Sequence, residues 1–308
     1  MSNRNERARA RGEKPGWERE GADWPNRESS RFVHAGGYRW HVQVMGHGPV
    51  LLLVHGTGAA THSWRDLGPL LARRFTTVAP DLPGHGFTDT PSFDGLSLPG
   101  MAAGLAAVLN TLGMRPDFAV GHSAGAAILA RMMLDGVIAP RGLVSLNGAI
   151  LPLRGAPAHL FSPVAKLLAS VPLVPALFAR RAADRAVVEK LLCDTGSRLD
   201  EPGVALYASL ARQPGHVAGA LGMMANWDLR SLERDLPGLA QKLTLVVGAK
   251  DRTIPPSEAQ RVRALHPAAQ IITLPGLGHL AHEEHPAEIA ALILQLAREA
   301  GVTLEPPQ

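Results

Sequence analysis

The sequence predicts an α/β fold built on an open, mostly parallel sheet with helices on its faces. Short, continuous apolar runs recur along the chain between glycines and prolines, which is typical of strands buried on both faces of a parallel sheet. Helical stretches separate these runs, and this alternation indicates crossover connections. One long interval, residues 151–227, has helix-like segments and prolines without a clear strand. A connection of that length is usually a functional insertion such as a lid.

The elements can be assigned in order along the chain. The predicted strands are residues 38–45, 50–54, 76–79, 118–120, 143–146, 243–247 and 271–274. The predicted helices are residues 98–112, 124–134, 257–265 and 286–300. Residues 1–30 carry charges of both signs with little apolar periodicity, so we expect a flexible N-terminal arm that docks through Trp17 and Trp24. The expected division is therefore this arm, an α/β core of residues 31–150 and 228–303, and a helical cap of residues 151–227.

Composition excludes several classes of protein. The 308 residues are 46% hydrophobic and 19% charged, enough to bury a sizeable core. One cysteine, Cys193, excludes an internal disulfide framework, and a net charge of +4 is too small to indicate a nucleic-acid-binding face. No apolar stretch resembles an export signal or reaches the roughly 20 residues of a membrane span. We therefore expect a soluble, cytoplasmic protein without a transmembrane segment.

The strongest chemical signal is the G-x-S-x-G sequence at residues 121–125, which lies between a predicted strand and a predicted helix. A serine in this setting occupies a sharp turn and projects its hydroxyl from the carboxyl edge of the sheet. We predict that Ser123 is a nucleophile and that His122 beside it either packs in the core or supports the catalytic residues from outside the reacting group.

A second signal is the sequence HGTG at residues 55–58, directly after a predicted strand. In a fold of this kind, one oxyanion-hole N–H comes from this loop and the other from the residue after the nucleophile. The predicted donors are the backbone N–H groups of Thr57 and Ala124. His55 is expected to brace the loop.

A serine nucleophile needs a base and an orienting acid, expected in the chain order Ser, Asp/Glu, His. Asp251 and His279 each follow a predicted strand in that order, so they are the predicted acid and base. The other position for the acid is occupied by Asn147, which cannot be an anionic partner.

Other polar clusters have structural interpretations. His279, His282 and His285 lack the H-E-x-x-H spacing of a zinc site, so no metal is predicted, and the last two are expected near the start of the final helix. Asp81 and His85 lie in a turn rich in glycine and proline and are expected to be structural. No glycine-rich dinucleotide motif or P-loop lysine is present, so no cofactor is predicted.

Taken together, the motifs HGTG, PDLPGHG, GHSAG, GAKDRTIP and GLGHLAHEEHP resemble the α/β-hydrolase family from about residue 31 to residue 301. That resemblance implies an eight-stranded sheet with a helical cap inserted after strand six. The segments WPNRESSRFV, HGTGAATHSWRDL, GHSAGAAILARM and LVSLNGAILPLRG resemble the BchO group, α/β-hydrolase-like accessory proteins of magnesium chelatase in bacteriochlorophyll biosynthesis. This likeness implies a small apolar or tetrapyrrole-like substrate and magnesium chelatase as a partner.

Two hypotheses follow. In the first, the protein is a serine hydrolase that cleaves an ester-like bond through Ser123, His279 and Asp251. In the second, it is a porphyrin carrier with an unused triad, whose apolar cap holds the macrocycle, while cap arginines meet the propionates. The arginines proposed for this contact are Arg154, Arg180, Arg181 and Arg185. A solvated cap surface is the alternative interpretation of those arginines.

Overall fold

An eight-stranded sheet forms the centre of the computed structural model, which describes residues 16–152, 173–182 and 184–304. The strand order is β1-β2-β4-β3-β5-β6-β7-β8, antiparallel at β1-β2 and β2-β4 and parallel from β4 onwards. The strands are β1 (Ser30–Ala35), β2 (Tyr38–Met45), β3 (Val50–Val54), β4 (Thr76–Pro80), β5 (Phe118–His122), β6 (Gly142–Leu146), β7 (Lys242–Gly248) and β8 (Gln270–Leu274). The predicted fold class is confirmed.

Strand β1 was not predicted from the sequence. It forms a hairpin with β2 across Gly36 and Gly37, whose φ angles of 59° and 87° are the left-handed values that a two-residue hairpin turn requires. This Gly-Gly pair before an alternating segment was the signal for the hairpin.

Helices cover both faces of the sheet because the central strands are apolar on both sides. In β3, Leu52 and Val54 belong to one core, whereas Leu51 and Leu53 belong to the other. The helices of the described chain are α1 (Trp17–Glu20), α2 (Leu67–Ala72), α3 (Leu98–Leu112), α4 (Ala124–Leu134), α5 (Leu173–Arg181), α6 (Arg185–Asp194), α7 (Glu201–Ala211), α8 (Pro214–Ala225), α9 (Arg230–Asp235), α10 (Ser257–Leu265), α11 (Ala281–Glu284) and α12 (Pro286–Glu299). The predicted helices correspond to α3, α4, α10 and α12.

Helix α3 has clear sequence boundaries. The Ser97 side chain accepts a hydrogen bond from the Gly100 amide at 3.2 Å, and Gly113 ends the helix at φ 66°. Because such end signals depend on local sequence, this helix was predictable to the residue.

The interval between β6 and β7 holds α5 to α9, and its described residues contain no strand. Residues 153–172 and 183 lie outside the described part of the chain. They include the first six residues of 167–179, an uncharged stretch of the predicted cap that was expected to form an apolar wall. The division of the chain into core and cap therefore stays a prediction. Across the described ranges, no helix is both long and apolar enough to cross a membrane.

The described part of the N-terminal segment packs on the core, unlike the flexible arm expected for residues 1–30. Trp24 is 4% exposed and its indole N–H donates to Thr61 Oγ1 at 2.9 Å. The Trp17 ring contacts Phe87 edge-on at 4.9 Å between centroids. Both tryptophans thus contact the core, and residues 1–15 lie outside the described range.

Candidate active site

Ser123 occupies a strained turn between β5 and α4. Its φ of 50° and ψ of −118° are unusual for a residue with a side chain and cost about 1–3 kcal/mol. The glycines of the motif allow this turn: a Cβ on Gly121 would lie 2.5 Å from the Ala126 nitrogen, and one on Gly125 would collide with the Val54 carbonyl oxygen. The spacing G-x-S-x-G is therefore a steric requirement for bringing helix and strands together behind the serine.

His279 is oriented by Asp251. The Nδ1 atom of His279 lies 2.8 Å from Asp251 Oδ2, and both residues are buried. The other carboxylate oxygen accepts hydrogen bonds from the amides of Thr253 and Ile254 at 2.8 and 2.9 Å. With Nδ1–H directed to the carboxylate, Nε2 is the ring atom left to accept a proton. Ser123 and His279 line the same cavity, so the three predicted residues come together from the ends of β5, β7 and β8.

Asn147, which follows β6, supports the loop that carries His279. Its Nδ2 donates to the carbonyl oxygens of Gly278 and His279 at 3.0 and 2.8 Å, and its Oδ1 accepts from the Gly248 amide at 2.7 Å. The His122 ring adds a hydrogen bond from Nε2 to the His279 carbonyl at 3.0 Å. From the sequence, Asn147 was considered only as a position that cannot supply the acid. Its φ of 45°, a value that asparagine tolerates better than most residues, has no sequence signature of its own.

The loop after β3 is held by His55. The Nδ1 of His55 donates to the Gly56 carbonyl at 2.8 Å, while its Nε2 accepts from the Leu82 amide at 2.9 Å. This pattern requires a neutral ring, and burial lowers the pKa of His55 accordingly. The Gly56 carbonyl and the Thr57 N–H belong to one trans peptide and point in opposite directions, so fixing the carbonyl also fixes the N–H. The expectation that His55 braces the loop agrees with these contacts.

Thr57 and Ala124 both line the cavity beside Ser123. A Cβ on Gly56 would lie 2.9 Å from the Cβ of Ser123, so glycine is needed for the loop to approach the serine closely. Among the described residues, no hydrogen bond engages the amide N–H of Thr57 or Ala124. Two donors beside a serine can stabilise a developing oxyanion, and this role stays a prediction.

An ionic cluster that was not predicted from the sequence is centred on the buried Glu283. The Glu283 carboxylate accepts from Ser63 Oγ at 2.6 Å, from the Tyr207 hydroxyl at 2.7 Å and from Arg65 at 2.5 Å. Burial raises the pKa of Glu283, and Arg65 opposes that shift. Arg65 also reaches Asp200 at 3.0 Å. Since Tyr207 and Asp200 lie between β6 and β7, the cluster joins that helical region to the sheet.

The histidines after His279 have packing roles. His282 is buried with Nε2 2.9 Å from Ser63 Oγ, and burial lowers its pKa to about 3. His285 is exposed and lies 3.2 Å from Glu288. Within the ranges that the structure describes, no group of three or more His, Cys, Asp or Glu side chains could hold a metal ion.

Asp81 organises the turn after β4 rather than the cavity. Its carboxylate accepts from the amides of Thr61 and Phe87 at 2.7 and 2.9 Å and contacts His41 Nδ1 at 2.8 Å. Burial alone would raise the pKa of Asp81, but the His41 ring and these donors outweigh it and hold that pKa below its ordinary value. His85 is buried in the same turn. These contacts support the structural interpretation of both residues.

A cavity of about 680 Å³ opens above Ser123, within the usual size range of small-molecule sites. Its walls are mostly apolar and come from both the strand ends and the helices between β6 and β7. The apolar lining residues are Ala59, Ala124, Ala149, Leu151, Pro152, Leu191, Leu192, Met224, Trp227, Leu229, Ile254 and Leu280. A small, mostly apolar ligand would fit this space beside the serine.

None of the described arginines suggested for carboxylate recognition lines this cavity. Arg180 and Arg181 are exposed on α5, Arg185 pairs with Glu201 at 3.0 Å, and Arg154 lies outside the described residues. The three described arginines fit the alternative interpretation, a solvated surface, because sequence position does not indicate which way a helix faces. None of the described side chains of α5 lines the cavity, and Phe178 on this helix is 54% exposed.

The arginines that line the cavity are Arg230 and Arg252. Arg230 is paired with Asp228 through contacts down to 2.5 Å. Arg252 directly follows the acid Asp251 and forms no ion pair with another described residue. Arg252 is therefore the positive charge available to an anionic group at the cavity.

Comparison with known proteins decides the family. The sequence profile of the "Alpha/beta hydrolase family" matches residues 51–292. The chain belongs to the α/β-hydrolase family. It is 36% identical over 275 residues to the "Magnesium-chelatase 30 kDa subunit" of Rhodobacter capsulatus, with 89% of this chain and 96% of that protein covered.

Two further matches agree with this family. The chain is 28% identical over 263 residues to the 2-hydroxy-6-oxo-2,4-heptadienoate hydrolase of Pseudomonas putida, covering 82% of this chain and 91% of that enzyme. A crystal structure of an α/β-hydrolase fold protein from Burkholderia ambifaria superposes with a TM-score of 0.72 at 27% identity, covering 86% of this chain and 97% of that one. The predicted resemblance to α/β-hydrolases and to the chelatase-associated group is confirmed.

Proposed function

We propose that this α/β-hydrolase is a serine hydrolase that cleaves an ester-like bond. The observation that carries the proposal is the 2.8 Å contact between His279 Nδ1 and Asp251 Oδ2, with His279 lining the same cavity as the strained Ser123. A protein that only binds a ligand has no need of a serine held at a positive φ, because that conformation lowers stability. A strained backbone of this kind is expected where the serine acts as a nucleophile.

In the proposed reaction, Ser123 Oγ attacks the carbonyl carbon while His279 Nε2 takes the hydroxyl proton. The negative charge that develops on the carbonyl oxygen is stabilised by the N–H groups of Thr57 and Ala124, each worth about 2.7–4 kcal/mol in comparable sites. His279 then returns the proton to the leaving oxygen as its bond to carbon breaks. Water attacks the acyl-enzyme by the same route, which releases the acid and restores Ser123.

The proposed biological role is that of an accessory protein to magnesium chelatase in bacteriochlorophyll biosynthesis, in the cytoplasm. Support comes from the 36% identity to a magnesium-chelatase subunit over nearly the whole length of both chains. The mostly apolar cavity fits a small apolar or tetrapyrrole-like substrate. Residues 151–227 would act as the cap that selects it, with Leu192, Met224 and Trp227 among its contacts.

The test of the hydrolase proposal is labelling by a fluorophosphonate probe, which forms a Ser Oγ–P bond and releases fluoride. Wild type and Ser92→Ala, a control at an exposed serine, should be labelled, whereas Ser123→Ala should not. Labelling that survives in Ser123→Ala, or no labelling of wild type, would refute the proposed nucleophile.

The second candidate is a carrier that binds a porphyrin without chemistry. It is favoured by the name of the chelatase relative and by Arg252, an unpaired cation among described residues beside an apolar cavity. Purified protein should then change the fluorescence of a magnesium-free porphyrin on titration, and Arg252→Gln should weaken that binding more at low salt than at high salt. Arg180→Gln is the matched control, since Arg180 does not line the cavity.

The two candidates separate in a bacteriochlorophyll-producing host that lacks the gene. If the role is catalytic, Ser123→Ala should fail to restore pigment, as the empty vector does. If the role is carriage, Ser123→Ala should restore pigment, whereas Trp227→Arg, which places a charge on the cavity wall, should not. Normal pigment in the deletion strain, together with no binding of a porphyrin, would remove the tetrapyrrole assignment.

A further inference from the structure

His216 links a helix of the insertion to the loop predicted to hold the oxyanion. It lies on α8 and is buried, with 3% of its surface exposed. Its Nδ1 accepts from the Gly86 amide at 3.1 Å, and its Nε2 lies 3.1 Å from the Gly58 carbonyl oxygen. An amide can only donate and a carbonyl can only accept, so the ring is neutral and carries its proton on Nε2.

The Gly58 carbonyl is a sensitive place for such a contact. Gly58 directly follows Thr57 and has a φ of 79°, so the chain turns sharply there. His55 holds the Gly56 carbonyl on the other side of Thr57 at 2.8 Å. Two neutral histidines therefore hold the carbonyls on either side of the predicted oxyanion donor, one from the sheet and one from the insertion.

Helix α8 makes further contacts with the same loops. The Thr57 hydroxyl donates to the Met223 sulfur at 3.5 Å. Gly219 packs so closely on Gly84 that a Cβ at position 219 would collide with the Gly84 carbonyl oxygen. The helix is thus seated directly on the backbone around the oxyanion loop, and His216 is its polar contact with Gly58.

We propose that His216 is a positioning residue that sets the orientation of the oxyanion loop, so that the helical insertion contributes to transition-state stabilisation as well as to the cavity wall. The inference rests on the proposed serine-hydrolase function. Its physical basis is that an oxyanion donor acts only when it is aimed at the developing charge, and a small displacement of that donor is costly in rate.

Two amide variants separate the two hydrogen bonds of His216. Gln places an N–H₂ near the position of Nε2 and can still donate to Gly58, whereas Asn places its oxygen near Nδ1 and keeps only the contact with Gly86. The second-order rate constant of fluorophosphonate labelling measures how well the predicted oxyanion hole works, because the phosphoryl oxygen of the probe binds in that hole. No known substrate is needed for this measurement. We expect His216→Asn to slow labelling at least about tenfold and His216→Gln to slow it less than about threefold.

The matched control is His266→Asn, at a buried histidine just before β8 and therefore at the opposite end of the sheet from Ser123. It should lower the melting temperature without changing the labelling rate per folded molecule. Equal rates for wild type and folded His216→Asn, or equal losses in Asn and Gln that follow their melting temperatures, would overturn the role of His216. Wild-type protein without Ser123-dependent labelling would instead overturn the proposed hydrolase, and the inference with it.

A measurement on the wild-type chain covers the case in which the Asn variant does not fold. Long-range ¹H–¹⁵N spectra should show His216 as the neutral Nε2–H tautomer, and its Nε2–H resonance should shift when a boronic acid occupies the active site. An Nδ1–H tautomer, or a resonance that does not respond to the inhibitor, would contradict the proposed coupling.

Discussion

Asn147 donates a 2.8 Å hydrogen bond to the main-chain carbonyl oxygen of His279, although the two residues follow different strands of the sheet. The same amide group accepts from Gly248 at the end of β7, so one side chain ties three strand ends together. The position that could have supplied an acid thus supports the base instead.

The first prediction concerns the triad. Ser123→Ala, His279→Ala and Asp251→Asn should each lower kcat for an activated ester by at least about 10³-fold, because nucleophile, base and acid act as a unit. Circular dichroism should confirm that each variant is folded. The double variant Ser123→Ala/His279→Ala should be little worse than Ser123→Ala alone, and strictly multiplicative losses would argue against a triad.

The second prediction concerns Asn147. Replacing it with Gly keeps the φ of 45° accessible but removes the hydrogen bonds to Gly278, His279 and Gly248, so kcat should fall about 10–100-fold while KM changes little. The matched control is Asn26→Gly, at a residue with a φ of 55° in the N-terminal segment. Steady-state kinetics of both variants test this prediction. An unchanged kcat in Asn147→Gly would contradict the role of Asn147 in positioning His279.

The third prediction concerns the serine turn. Gly125→Ala should destabilise the fold by several kcal/mol or prevent folding, because the added methyl would collide with the Val54 carbonyl in a packed strand. Gly136→Ala is the comparison, since a Cβ there meets no atom within 4 Å and only its φ of 68° is unfavourable. Urea unfolding should give a much larger loss for Gly125→Ala, and similar losses would mean that the turn can relax.

The fourth prediction is a pH dependence of stability. Burial lowers the pKa of His282 from 6.5 to about 3 in the folded chain, so between these values the unfolded chain binds the extra proton. The unfolding free energy should therefore fall as the pH is lowered from 6.5 towards 3, by up to ~1.4 kcal/mol per pH unit for this group.

Chemical denaturation at a series of pH values measures that slope. His282→Gln removes the titrating ring, keeps an amide near Ser63 and should flatten the dependence, whereas His285→Gln at an exposed site should not. An identical slope in wild type and His282→Gln would show that other groups account for the acid sensitivity.

The sequence by itself determined the α/β class and was enough to predict Ser123, Asp251 and His279 as nucleophile, acid and base. Each of these follows an apolar run that can be identified locally, and the carboxyl ends of parallel strands meet at one edge of the sheet. The glycines around Ser123 are equally local, because steric contact between adjoining strand and helix decides them. Such features need only the order of residues along a short stretch of chain.

Tertiary structure alone decided which side chains support these residues and which line the cavity. Asn147, Glu283 and His216 act through partners far away in the chain, and no local pattern indicates that an asparagine will meet a distant carbonyl or that a glutamate will be buried beside Arg65. Which arginines line the cavity likewise depends on the direction in which loops and helices face. The physical reason is that hydrogen-bond satisfaction inside a protein depends on groups brought together by folding, whereas periodicity and steric size are present in the chain before it folds.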